Sequence, residues 1–237
     1  MALAAACLLM TSCFETHEEL WVNADGSARA EFRYNVPKRA LMLAGGAGGL
    51  ERQVRELVAT LPKLRLDSLT LTATGDRMEM VAHLSTDSLL WLRDVAKNKS
   101  LRNIPETTTD FAGAFKVKME DLKVDFCRTI SIGHALGFTA LAISDEDREK
   151  RHLYCAIHLP LPAIESNATR TEDGGRTLIW DNTLGDALKA PLVTRFRAPI
   201  PLPRWLVPAA TGAAVALGLI LWLTVRWCLR RRRQGVR

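Results

Sequence analysis

The stretch LWVNADGSARAEFRYNV, Leu20 to Val36, reads as two strands folded about a tight turn. Leu20 and Val22 alternate with polar neighbours, and Asp25-Gly26 is a strong hairpin signal. Beyond it Ala28, Ala30, Phe32, Tyr34 and Val36 share one face, and Arg29, Glu31, Arg33 and Asn35 share the other. A period of two with one apolar face predicts a half-buried antiparallel strand.

The same logic extends along the chain. Pro37 closes the hairpin, and AGGAGG (Ala44 to Gly49) reads as a flexible loop. It does not fit a dinucleotide-binding G-x-G-x-x-G, because Glu51 stands where the last glycine belongs. Leu50, Val54, Leu57, Val58 and Leu61 then form one apolar stripe of a helix. Leu69, Leu71 and Ala73, a Gly75-Asp76 turn, and Met78, Met80, Ala82 and Leu84 predict a second hairpin. A second helix is expected from Ser85 or Thr86 as N-cap, with Leu89, Leu92, Val95 and Ala96 inward. Phe115, Val117 and Met119, then Leu122, Val124 and Phe126, alternate with charged residues. Gly133 to Gly137 and the charged run Asp145 to Arg151 read as loops. Leu153, Cys155, Ile157 and Leu159 make another strand, Glu172 to Gly175 a turn, Arg176 to Trp180 a short strand and Leu192 to Phe196 the last. The expected fold is α+β, an antiparallel sheet of several hairpins with two helices packed on it, plus one C-terminal transmembrane helix.

That last element is WLVPAATGAAVALGLILWLTV, residues 205–225, which holds no charge and lies between Arg204 and Arg226. At about 1.5 Å of rise per residue such a length spans a bilayer's hydrocarbon core of roughly 30 Å. Trp205, Trp222 and Trp227 sit near its ends, where indole rings favour the interface. Arg226, Arg230 and Arg231 begin a basic flank that keeps the C-terminus in the cytoplasm. At the other end MALAAACLLMTSC (residues 1–13) is an apolar leader ending in small residues and a cysteine, as in a lipoprotein signal peptide. Cys13 is therefore the expected lipidated first residue of the mature chain. The organisation is a signal peptide over 1–12, an extracytoplasmic domain over 13–198, a stiff Pro-rich spacer over 199–204, the span over 205–225 and a basic tail over 226–237. This places the protein in a bacterial cytoplasmic membrane with its domain outside.

Charge excludes one class of partner. The 237 residues carry 32 Lys plus Arg against 26 Asp plus Glu. Six of the basic residues follow the span and no acidic one does, so the rest of the chain is balanced. The basic excess belongs to the membrane flank, and no nucleic-acid partner is expected.

Chemistry-bearing motifs are sparse. Five histidines (17, 83, 134, 152 and 158) are scattered, with no partner at metal-ligand spacing, and no C-x-x-C, G-x-S-x-G or phosphate-binding loop occurs. No cofactor, metal site or catalytic residue is expected, and the chain reads as a non-enzyme. Cys127 and Cys155 are the cysteines of the outer domain besides Cys13, and strand parity sets them on opposite faces.

With this layout the chain resembles the LppM-like bacterial lipoproteins. The resemblance rests on Cys13 after a short apolar leader, the hairpin Leu20 to Val36 around Asp25-Gly26-Ser27, LPLPAIESNATRTEDGGRTLIW (Leu159 to Trp180), and the C-terminal span with its basic tail. It implies an outer domain related to lipid-binding folds, with membrane lipids as partners. Inward Met78, Met80 and Met119 would suit a pliable pocket lining. The other reading is an interaction module that holds another envelope protein, with Ala210, Ala214 and Gly218 as a small-residue face for helix pairing.

Overall fold

The computed structural model describes residues 15–38, 46–61, 63–89, 113–136, 140 and 143–201. The chain divides into two compact units, residues 1–201 and 202–237. Cys13, the signal peptide, the 205–225 stretch, its Trp205, Trp222 and Trp227 and the flanking Arg226, Arg230 and Arg231 lie outside the described residues. Among the described residues no helix is long and apolar enough to cross a membrane.

The described elements are, in order, β1 (Glu15–Val22), β2 (Ala28–Pro37), α1 (Gly46–Ala59), β3 (Arg65–Thr74), β4 (Arg77–Thr86), β5 (Ala114–Glu120), β6 (Lys123–Ile130), α2 (Ile132–Leu136), α3 (Asp145–Lys150), β7 (His152–His158), β8 (Glu165–Ser166), β9 (Arg170–Glu172), β10 (Thr177–Thr183), α4 (Leu184–Lys189) and β11 (Leu192–Pro199). The expected α+β class holds, mostly as sheet. The expected single antiparallel sheet does not. There are two sheets, in the orders β3-β4-β2-β1-β7-β10-β9 and β5-β6-β11-β8. The pairing of β1 with β7 is parallel. A parallel pair needs a long crossover, and the second sheet's β5-β6 hairpin is built within it.

The first hairpin forms as its sequence requires. Leu20 pairs with Ala30 and Val22 with Ala28. Gly26 adopts a φ of 85°, and Asp25 accepts bonds from the Ser27 backbone and hydroxyl. Four expectations are corrected. Part of the glycine run is helical, since α1 begins at Gly46, where the chain again takes a positive φ. β4 continues through Thr86 in register with Ala28, so Ser85 and Thr86 are strand residues, and Leu92, Val95 and Ala96 of the expected second helix lie outside the described residues. The region read as loops holds two short helices: α2, and α3 capped by Ser144, whose hydroxyl accepts from the Asp147 N–H. Leu122 is not an inward strand residue, because Asp121-Leu122 is the turn that joins β5 to β6.

Even-numbered residues of β1 and their partners face the second sheet, and two apolar clusters fill the space between. One joins Ile157, Leu159, Leu178, Trp180, Phe196 and Ala198, with Val22 and Val124 against it. The other joins Ile132, Ile143, Leu153, Leu184 and Ala187, with Ile130 and Leu192 against it. These clusters fix how the sheets align. Val22, His158, Lys123 and Pro199 lie at one end, called here the turn end. Glu15, Leu153, Ile130 and Leu192 lie with the short helices at the opposite, helix end. Burial of each large core side chain contributes about 1.5–3 kcal/mol.

The seven-stranded sheet is wider than its four-stranded partner. α1 packs against β3, where Leu69 and Leu71 face inward and Thr70, Thr72 and Thr74 are exposed on the far side. Val58 is the residue that α1 buries.

Candidate functional site

Three arrangements bear on function. The first lies between the sheets. Glu18 on β1 and Arg128 on β6 both point inward, and side-chain exposure is 9% for each. The Arg128 guanidinium donates to both Glu18 oxygens, one bond from Nη1 to Oε2 and the other from Nη2 to Oε1 at 3.2 Å. The Tyr34 hydroxyl donates to Glu18 Oε1 at 2.7 Å. The Arg128 head lies 5.4 Å from the Phe115 ring centroid. Gly113 passes so close that a Cβ there would stand 2.9 Å from the Arg128 stem. Burial alone would raise the Glu18 pKa, but the Arg128 charge and the hydrogen bonds from Arg128 and Tyr34 hold it below its usual value of 4.5. Burial and the Glu18 charge push the Tyr34 hydroxyl well above the phenolic range. Burial works against the Arg128 charge, and Glu18 more than offsets it. All three groups are thus fixed in one protonation state at neutral pH. That suits a lock between sheets and gives no proton donor or acceptor poised for catalysis.

Cys155 pairs directly with Glu18 on the neighbouring strand. Burial, then the Glu18 charge, pushes its thiol pKa up to about 12. Cys127 sits on the outward side of β6 opposite Arg195. Both thiols are free, as the parity of their strands implies. A denatured, unreduced domain should titrate two thiols with Ellman's reagent. In the native domain Cys155 should react far more slowly than Cys127, because the thiolate is the reactive form.

The second arrangement covers the outward face of the large sheet. Four of the five histidines that look scattered in sequence meet there, each beside a carboxylate. His17 Nε2 lies 2.8 Å from Glu19, His83 Nε2 3.3 Å from Glu31, His152 Nδ1 2.7 Å from Asp181 and His158 Nε2 3.6 Å from Glu19. His17 stacks on Tyr154 at 4.5 Å, and Trp21 stacks on His158 at 5.3 Å with the Arg29 head 4.8 Å above its ring. Trp21 is paired in register with both Arg29 and His158, on the strands either side of it. Its two ring faces are therefore occupied, so it offers no platform for a planar ligand. Among the described residues no group of three or more His, Cys, Asp or Glu is arranged to hold a metal.

The third arrangement is apolar. On β4, Met80 and Ala82 are buried at 7% and 4%. Around them Phe32, Leu66, Leu69, Leu71, Met78 and Leu84 are only half-buried. Among the described residues α1 packs on β3, and these half-buried side chains form a shallow apolar trough along β2, β4 and β3 beside it. Met78 and Met80 belong to it, whereas Met119 is on β5 in the other sheet. A separate groove of about 410 Å³ at the helix end is bounded by Asp145, Arg148, Glu149, Thr183, Leu188 and Lys189. Its charges are of both signs, which suits no single ligand class.

The polar lock has a signal in the sequence that the strand and helix patterns leave aside. Glu18 stands two residues before Leu20 and Arg128 two after Phe126, so each is a charge on an inward-facing register. Opposite charges at such positions point to a buried pair.

No family model matches the chain, and no curated protein matches it. Among solved structures it is similar to the folded domain of the LppM protein of Mycobacterium tuberculosis, determined by NMR. The two share 12% sequence identity over 80% of this chain and 91% of that one, with a TM-score of 0.48.

Proposed function

We propose that the chain is a non-enzymatic, membrane-anchored envelope lipoprotein whose outer domain binds a lipid or lipid-like ligand in the trough beside α1. In this reading Cys13 carries the lipid, residues 205–225 span the cytoplasmic membrane and the basic flank from Arg226 stays inside. What supports ligand binding is one observation: among the described residues α1 packs on β3, and the inward apolar side chains of β2, β4 and β3 beside it remain half-exposed. Apolar side chains that face a layer yet stay accessible are the lining that an acyl chain needs. Met78 and Met80 add a surface that can reshape around chains of different length.

Native mass spectrometry of residues 15–201, incubated with an envelope lipid extract, tests the reading. A bound mass identified as lipid is the expected result. Leu71→Asp, at the exposed rim of the trough, removes about 1.5 kcal/mol or more of apolar contact and should weaken binding by roughly tenfold or more. Bare protein at all lipid concentrations would sink the reading and shift weight to the interaction module. That second reading draws on the filled core between the two sheets and on the apolar side chains exposed at the turn end.

A further inference from the structure

Among the described residues four large apolar side chains are exposed: Leu122 at 60%, Ile164 at 50%, Val193 at 42% and Leu161 at 36%. Three of them gather at the turn end, around the strand by which the chain leaves the domain. β11 runs between β6 and β8. On one flank the Ile200 N–H donates to the Leu122 carbonyl at 2.7 Å, and on the other the Ile164 N–H donates to the Arg197 carbonyl at 2.7 Å. Leu161 precedes Ile164 in the same loop.

Leu122 is the most informative. Asp121 and Leu122 have φ of 49° and 58°, and Glu120 pairs directly with Lys123 across them. This two-residue turn is one that Asn-Gly or Asp-Gly forms without strain. A leucine held left-handed costs about 1–2 kcal/mol, and here most of its surface also faces solvent. Neither stability nor solubility accounts for it. The described chain stops at Pro201, four residues before Trp205 and the uncharged stretch that follows. Four residues reach at most about 14 Å. Lys118, Lys123, Glu120 and Asp121 surround the tip with both signs, so the attraction is apolar and needs no anionic lipid.

From the strained leucine, the apolar pair flanking β11 and the short reach to Trp205, we infer that the turn end rests on the bilayer, with Leu122, Ile164 and Leu161 entering the lipid interface. The inference goes beyond ligand binding in the trough, and it rests on the reading of residues 205–225 as a membrane span. Interfacial apolar side chains of this kind bury about 5–10 Å into the headgroup boundary.

The test uses the full chain carrying Cys13→Ser, reconstituted in phosphatidylcholine vesicles, with and without phosphatidylglycerol. The photo-crosslinker benzoylphenylalanine is placed singly at Leu122, at Ile164 or, as a control on α4 at the helix end, at Lys189. Irradiation followed by peptide mass spectrometry should give lipid-mass adducts at 122 and 164, none at 189, and equal yields in the two vesicle types. Leu122→Gly, which suits the left-handed backbone, should leave the thermal midpoint unchanged or raise it. The same change in a chain with the crosslinker at Ile164 should lower the lipid adduct there. Protein that resists carbonate extraction yet gives no lipid adduct at 122 or 164, or gives protein adducts in their place, overturns the docking inference alone. Protein released by carbonate overturns the span reading and the docking inference with it.

Discussion

Replacing Glu18 by alanine is expected to lower the unfolding free energy of the domain by about 3–5 kcal/mol. The change leaves the Arg128 guanidinium buried at 7% exposure without the Glu18 carboxylate, and takes the Glu18 acceptor from Tyr34. Most of the loss is the cost of a buried charge parted from its Glu18 carboxylate rather than the worth of the pair. Replacing both partners separates the two: Glu18→Leu with Arg128→Met should recover most of the loss, because a well-packed apolar pair is often as stable as a buried ion pair. Urea unfolding of the two variants and the parent measures this. A double variant no more stable than Glu18→Ala would mean that the pair itself holds the sheets together. The acid side gives an independent check. The Glu18 pKa is lower folded than unfolded, so its contribution is fully present above its ordinary value of 4.5 and disappears as the pH falls through the lower folded value. Glu18→Gln should therefore flatten the fall in stability across that acidic window and leave the slope at neutral pH unchanged.

Trp180→Ala should also cost about 3–5 kcal/mol, by loss of a large core side chain and the cavity left behind. Trp180 is 4% exposed and packs among Ile157, Leu178 and Phe196. Its indole N–H donates to Asn167 Oδ1 at 3.0 Å. The same oxygen accepts from the Arg195 N–H at 2.8 Å, and Asn167 Nδ2 donates to the Val193 carbonyl at 2.7 Å. Asn167 thus ties Trp180 of the large sheet to β11 of the small one. Trp180→Phe keeps much of the volume and loses the N–H, so the hydrogen-bond share, about 1 kcal/mol, falls within the loss of that variant, and the difference between the two variants reads the ring. Equal destabilisation by both would show that the indole N–H and not the ring carries the effect.

The hairpins were legible because a period of two, broken at Gly26 and at Gly75, is set by local chemistry. The faces of β1, β2, β4 and β7 follow from parity alone. Which strands become neighbours was not legible. The parallel β1–β7 pair brings together residues more than a hundred positions apart, and no local pattern encodes it. For the same reason the histidines look unrelated in sequence yet share one sheet face. The charged run Asp145 to Arg151 reads as a loop because none of its residues is apolar. It is helical through its Ser144 cap, its Glu146–Lys150 and Asp147–Arg151 pairs and its packing against α4. Leu122 misled in the opposite way, since an apolar residue continuing an alternation is normally inward and this one is a hairpin tip.

The chain enters the domain at one end and leaves it at the other. β1 is eight residues long, about 26 Å at roughly 3.3 Å per residue, and Glu15 lies at the helix end while Pro199 lies at the turn end. Only Phe14 separates Glu15 from Cys13, a reach of about 7 Å. A domain held only beside Pro201 can stand upright on Leu122. A domain whose Cys13 also carries acyl chains in that leaflet must pivot about the same corner until its strands lie nearly along the membrane. Acylation would then act as a tilt control. Energy transfer from a dye on α4 to a lipid-bound acceptor should report the α4 end roughly one strand length higher in the Cys13→Ser chain than in the acylated one.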